Sequence, residues 1–275
     1  MRTARRLGAA GAVLAAALLA SGGARAEAGP ETPPGAVSVV SEARGEGFDY
    51  RARFYVQVSP WHDVPLENAD GTLNFICEIP RGTSAKMEVA TGEANNPIKQ
   101  DTKNGELRFY PYDILWNYGL FPQTWEDPAH VDVELEVAGD NDPVDVVDIG
   151  DTDCEVGGIY ASKVICCLAM VDDGELDWKM ITINSAHPRF DAVNTVDDAE
   201  REFPGEIRRI REWFRDYKIP GGDPPAEFGY GGECLPTSKC HDVLHETRGF
   251  WHALVSGERE NTEGLALPSA RSYLS

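Results

Sequence analysis

Beyond residue 26 the chain has no apolar run long enough to cross a bilayer, so no spanning helix is expected there. Basic residues are scarce: 25 Lys and Arg stand against 46 Asp and Glu, a formal charge of −21. So negative a surface repels phosphate backbones and anionic lipids, and neither nucleic acid nor membrane is an expected partner. Six cysteines are present without any Cys-x-x-Cys pair, which argues against a zinc ribbon and against a dense disulfide framework. Cys166 and Cys167 adjoin within an apolar run. Cys234 and Cys240 share a Gly/Pro-rich loop and are placed to pair in an oxidising compartment, and the other four read as buried thiols. The glycine-rich stretch FGYGGECLP (228–236) lacks the Lys-Ser/Thr of a phosphate-binding P-loop and reads as a plain loop. Repeats with a period of about 20 to 50 residues are absent as well.

At the start, residues 1–26 combine Arg2, Arg5 and Arg6, an apolar run over 7–20, and small residues at Ala24 and Ala26. That is the pattern of a cleavable signal peptide, and its Arg-rich, acid-free composition equally fits an organellar transit peptide. Plastid, mitochondrial and secretory routes stay open, with the cytoplasm as the alternative. Cleavage after Ala26 lowers the formal charge from −21 to −25, because it removes four arginines and no acid. Residues 27–45, rich in Pro, Gly and Glu, read as a flexible tail, and 46–275 as a single domain.

Strand-like runs cover 48–59, 73–80, 85–91, 106–110, 145–149, 157–171 and 178–184, with Asn104-Gly105 and Asp173-Gly174 as turn signals. A helix is expected over 204–217, opened by Pro204, with Ile207, Ile210 and Phe214 on one face and Pro220 beyond its end. A second is expected over 238–255. Strands followed by helices imply an α+β domain, a closed barrel with helices against it.

Residues 139–151, GDNDPVDVVDIGD, hold Asp140, Asp142, Asp145, Asp148 and Asp151 among valines and an isoleucine. An EF-hand loop starting at Asp140 fails, since Val144 and Asp145 occupy its fifth and sixth positions and Asp151 its twelfth. A solvated acidic face explains Asp148 and Asp151, but Val144, Val146, Val147 and Ile149 require burial nearby. Packed carboxylates need cations, and hard oxygen ligands in number suit Mg²⁺ or Mn²⁺. Asp172 and Asp177 flank a second turn with Lys179 close by, and EIPRGTSAKMEV (78–89) interleaves Glu78 and Glu88 with Arg81 and Lys86. Acids beside bases fit a polyanionic substrate held jointly by metals and by Lys and Arg.

DNDPVD (140–145) resembles the signature of the family I soluble inorganic pyrophosphatases. SPWHDVPL (59–66), the 78–89 block, NPIKQDTKNGELRF (96–109), NYGLFPQTWEDP (117–128), DDGELDWK (172–179) and EWFRDYKIP (212–220) are similar to successive blocks of the eukaryotic-type enzyme. Together they span roughly residues 48 to 255. The resemblance implies a small closed five-stranded OB-like β-barrel with flanking helices, and hydrolysis of diphosphate to two phosphates by a metal-activated water. Several Mg²⁺ ions take part, and Mn²⁺ is a possible substitute. It also implies roles: Asp140, Asp145 and Asp177 for the tightest metals, Asp172 for those arriving with substrate, and Glu78 and Glu88 coordinating or positioning metal through water. Asp142 would be the general base. Lys86, Arg108, Tyr118, Lys179, Tyr217 and Lys218 would hold the phosphoryl groups.

Some positions depart from the family pattern. Ile114 stands where a second substrate-side tyrosine is usual, and Asp223 where a basic residue is common. Gly82 replaces a tryptophan that fungal and animal members use in dimer contacts, so both a monomer and a homodimer stay open. Two other functions are weighed: an inactive relative that binds metal or phosphate, and a zinc hydrolase built on His241 and His245 of HDVLH (241–245). The second lacks the usual Glu and a third ligand, and surface histidines are the plainer reading.

Overall fold

The computed structural model describes residues 39–44, 51–56 and 58–268. The expected targeting peptide, 1–26, lies outside the described residues, as does most of the 27–45 tail. Within that stretch, β1 (Val39–Arg44) pairs antiparallel with β2 (Arg51–Val56). The β-branched Val39 and Val40 favour a strand, a preference masked by the Pro and Gly before them.

The main body runs β3 (Leu73–Ile79), β4 (Met87–Val89), β5 (Ile98–Gln100), β6 (Thr102–Lys103), β7 (Glu106–Leu107), β8 (Asn117–Leu120), β9 (Asp145–Asp148), β10 (Ile159–Asp172) and β11 (Glu175–Asn184). After these come α1 (Val196–Glu202), α2 (Glu206–Asp216), β12 (Glu227–Phe228), β13 (Leu235–Pro236) and α3 (Thr237–Ser256). This is the expected α+β arrangement. Strands β11, β9, β8, β3 and β10 pair in that order, and β10 also pairs with β11, so five strands close into a ring. Only the β9–β11 pair in the ring is parallel.

Both turn signals hold. Asn104 and Gly105 (φ 58° and 82°) join β6 to β7, and Asp173 and Gly174 (φ 52° and 89°) join β10 to β11. Two successive left-handed residues make the tight turn whose twist matches a hairpin. Strand β8 demands Gly119, because a Cβ there would lie 1.9 Å from the Ile76 carbonyl oxygen of β3.

Ring strands are buried on both sides, so their sequences read as continuous apolar runs rather than alternating ones. Leu168 and Met170 of β10 pack with Ile207, Ile210 and Phe214 of α2, while Cys167 and Ala169 pack with Val243 and Leu244 of α3. The expected pairing of Cys234 with Cys240 is overturned. Cys166 is bonded to Cys234, and Cys167 to Cys240. Successive strand residues point to opposite faces, so the two adjacent cysteines bond to different partners on different cores. The first bond ties one core to the segment before α3, and the second ties the other core to α3 itself. Only Cys77 and Cys154 are free.

Candidate functional site

The acidic segment folds as a turn followed by β9. Asp140 Oδ1 accepts the Asp142 N–H at 3.0 Å, with Asn141 left-handed between them (φ 76°). Glu126 clamps this turn through its backbone: its N–H donates to Asp142 O, and its carbonyl accepts from the Asn141 N–H, both at 2.9 Å. Gly139 keeps the approach close, since a Cβ there would lie 2.5 Å from the Glu126 carbonyl carbon. Val144, Val146 and Val147 then enter the cores.

Asp145 sits opposite Lys179 in the parallel β9–β11 register, and Asp177, two residues earlier, shares the Lys179 face. Glu78 comes from β3, Lys86 and Glu88 from β4 and its approach, Arg108 from the end of the β6–β7 hairpin, and Tyr118 from β8. Asp172 closes β10, and Tyr217 and Lys218 leave the end of α2. All of these, with Asp140 and Asp142, border one cavity of about 290 Å³, so the thirteen site residues singled out in the sequence meet at one place.

Two aspartates of the opening segment do not reach it. Asp148 is fully buried, not on a solvated face: its Oδ1 accepts from the Gly150 N–H (3.2 Å) and the Asn184 N–H (3.1 Å), and Asn117 donates to its Oδ2 (3.3 Å). Asp151 is exposed, 3.2 Å from His187 Nε2. Ile114 is core, whereas Tyr110, four residues earlier, brings its ring to the cavity. His241 and His245 lie exposed on α3.

The family model described as inorganic pyrophosphatase matches residues 75–252. Soluble inorganic pyrophosphatase 1, chloroplastic, of Chlamydomonas reinhardtii is 52% identical over 235 residues, 84% of each chain. Soluble inorganic pyrophosphatase 6, chloroplastic, of Arabidopsis thaliana is 52% identical over 224 residues, 80% of this chain and 75% of its own. A truncated vacuolar soluble pyrophosphatase of Trypanosoma cruzi, solved in complex with PPi, superposes with a TM-score of 0.70 at 39% identity, covering 82% of this chain and 95% of that one. The chain belongs to the inorganic pyrophosphatase family, whose members are inorganic diphosphatases.

Within this cavity the bases and acids face one another. Lys179 Nζ, almost wholly buried, donates to Asp177 at 2.5 and 2.6 Å and contacts Asp145, which the Tyr118 hydroxyl also contacts. Lys218 bridges Asp172 and Asp173, each at 2.7 Å, and Lys86 donates to Glu88 at 2.7 Å.

Acids outnumber these cations. Burial, reinforced by Asp145, pushes the Glu78 carboxyl well above the usual range; burial, then Asp177 and Asp142, does the same to Asp140. Asp177 rises to about 6 through burial and Asp145, against the pull of Lys179. Asp142 rises to about 7 through lost hydration and the charges of Glu88 and Asp145, with solvent at the cavity mouth screening part of that repulsion.

One residue escaped the sequence reading. Glu126 is 3% exposed; its Oε1 accepts the Trp178 N–H at 3.0 Å, and its Oε2 has no partner. Burial and the charges of Asp140 and Asp177 raise its carboxyl strongly. Oxygens of Glu126, Asp140 and Asp177 lie within 4.8 Å of one another, the one grouping of this kind among the described residues. An orphaned buried carboxylate oxygen beside two more carboxylates fits a divalent cation taking oxygen ligands. The signal was in QTWEDP (123–128): an acid inside a run otherwise bound for the core.

This electrostatic excess predicts how stability depends on pH. Groups whose folded values are raised stabilise the metal-free chain most below the ordinary carboxyl range, and that stability falls as pH climbs from there through each raised value. Those values are about 6 for Asp177 and about 7 for Asp142, with Glu78, Glu126 and Asp140 strongly raised as well. His62, lowered to about 4 by burial, acts oppositely, but its contribution is lost only as pH falls below its unfolded value of 6.5. With a chelator present, the unfolding midpoint should therefore be lower at about pH 8.5 than at about pH 7, each proton held only by the folded chain being worth about 1.4 kcal/mol per pH unit. Added Mg²⁺ should shrink or reverse the difference, because ions bind the ionised carboxylates. Calorimetric scans at the two pH values check this, and equal midpoints in chelator would contradict it.

Proposed function

We propose that this chain hydrolyses inorganic diphosphate to two phosphates with several Mg²⁺ ions, Mn²⁺ serving as a substitute. The observation that carries this reading is the single cavity where six carboxylates (Glu78, Glu88, Asp140, Asp145, Asp172 and Asp177) face Lys86, Arg108, Lys179 and Lys218 around Asp142. A cavity needing only one sign of charge would not be lined by both; diphosphate with its counter-cations needs both.

Bound Mg²⁺ supplies positive charge to the phosphoryl oxygens and lowers the pKa of water from about 15.7 toward roughly 7. Asp140, Asp145 and Asp177 hold the tightest ions, and Asp172 helps hold those that enter with the substrate. Glu78 and Glu88 position them. Asp142, open to the cavity mouth, takes the proton from the attacking water, for which a carboxylate value near neutrality is suited. Lys86, Arg108, Tyr118, Lys179, Tyr217 and Lys218 orient the two phosphoryl halves by charge-assisted and hydroxyl hydrogen bonds, so catalysis is chiefly positioning and electrostatics.

The closed five-strand ring is read as a small OB-like barrel, part of a single domain over 46–275, acting as a monomer or homodimer. Residues 1–26 serve as a plastid transit peptide, a reading supported by the chloroplastic relatives. No helix among the described residues is long and apolar enough to cross a membrane.

Phosphate release from diphosphate, measured with Mg²⁺ and with chelator, tests the activity. Release only with Mg²⁺ is expected, with Asp145→Ala losing it and His241→Ala keeping it. No Mg²⁺-dependent release would leave the inactive-relative reading standing, and loss on His241→Ala would favour the zinc hydrolase.

A further inference from the structure

The two cysteines outside the disulfides, Cys77 and Cys154, are far apart in sequence and meet in one apolar cluster of the fold. Cys77 is fully buried in β3, and its backbone exchanges two hydrogen bonds with the loop before β10. Its N–H donates to Gly158 O at 3.0 Å, and its carbonyl accepts from the Gly157 N–H at 2.8 Å. That exchange seats the loop on β3 and puts the half-buried Cys154 against the apolar cluster that contains Cys77.

The neighbouring side chains fix the loop further. Tyr160 stands opposite Phe75 in the β3–β10 register, with ring centroids 6.2 Å apart, and Phe75 shares its strand face with Cys77. The Tyr160 hydroxyl accepts the Glu155 N–H at 2.9 Å, which pins the residue next to Cys154. Cys154 is a side-chain neighbour of both the Cys77 thiol and the Tyr160 hydroxyl. Neither sulfur-bearing residue borders the catalytic cavity. With Cys166, Cys167, Cys234 and Cys240 already paired, these two are the last thiols of the chain, and they belong to one apolar cluster.

We propose that Cys77 and Cys154 form a third disulfide, which crosslinks the 149–158 loop to β3. The oxidant is a low-molecular-weight disulfide such as oxidised glutathione. Attack begins at Cys154, the more accessible sulfur: its thiolate bonds to one sulfur of the oxidant and expels the other half as a thiolate, which takes up a proton. The Cys77 sulfur then attacks the Cys154 sulfur of the mixed disulfide, gives up its proton, and expels the second half as a thiol. Two protein thiols and one small disulfide become one protein disulfide and two small thiols, with two electrons passed to the oxidant. Cys77 is fully buried and Cys154 only half-buried, so the oxidant reaches Cys154 and Cys77 does not react first.

The test uses the full chain with its existing disulfides intact. Thiols are counted after unfolding in guanidinium, before and after incubation with oxidised glutathione. Two thiols per chain should fall to none, and a non-reducing digest should yield the Cys77 and Cys154 peptides joined, two hydrogens lighter than their sum. Cys154→Ser should keep its one remaining thiol, on Cys77, through the same treatment. Both thiols persisting in the wild type, glutathione retained on Cys154 beside a free Cys77, or oxidation of Cys77 in Cys154→Ser would each overturn the proposal.

Discussion

Replacing Asp142 with asparagine should lower turnover on diphosphate by about 10² to 10⁴-fold, the usual contribution of a positioned general base. Asparagine keeps the shape of the side chain and removes only the basic oxygen. The DNDP turn survives, because it is built from the Asp142 backbone N–H and carbonyl rather than from its side chain. KM should therefore stay within a few-fold of wild type while kcat collapses, the pattern of an interaction made in the transition state alone. The same variant should be more stable than wild type when metal is absent, since it removes a carboxylate that crowds Glu88 and Asp145. Steady-state kinetics with a thermal scan in chelator give both readouts. A variant within tenfold of wild-type turnover would move the base to another residue.

Reducing the two disulfides should lower the thermal midpoint by on the order of 10 °C. The bonds close loops of 68 and 73 residues, and loops of that size restrict the unfolded chain by about 4 kcal/mol for one bond in the chain-entropy account. Their spans overlap almost completely, so the second adds less than the first. At about 2 to 4 °C per kcal/mol for a domain of this size, one bond accounts for the expected shift. The measurement is a scan with and without a phosphine reductant, with thiol counting to confirm reduction. A reduced chain with an unchanged midpoint would mean that the two cores hold the α3 approach without help.

The two predictions mark what was legible in the sequence and what was not. Local chemistry was readable: Asn104-Gly105 and Asp173-Gly174 make their turns, and Ile207, Ile210 and Phe214 bury one face of α2. The aspartate cluster was readable too, because Val144, Val146 and Val147 force carboxylates toward a core. Features set by distant partners were not. β8 looks like a loop, since its glycine is required by the Ile76 carbonyl of another strand. The half-cystine pairing follows from the two faces of β10, and sequence proximity favoured the wrong partner for Cys234. Asp148 looked solvated until its donors from Gly150, Asn184 and Asn117 were in view. Glu126 reads as one acid among turn residues, and only the fold sets it beside Asp140 and Asp177.

Cation binding by the assembled carboxylates is most directly measured by titrating Mg²⁺ into metal-free protein by calorimetry, in buffers of different ionisation enthalpy. Saturable binding of more than one ion is predicted, with net proton release, because raised carboxyls such as Glu78 and Asp140 must ionise to bind. Asp177→Asn should weaken it sharply. Binding that is absent, that releases no protons, or that is indifferent to Asp177 would contradict the account.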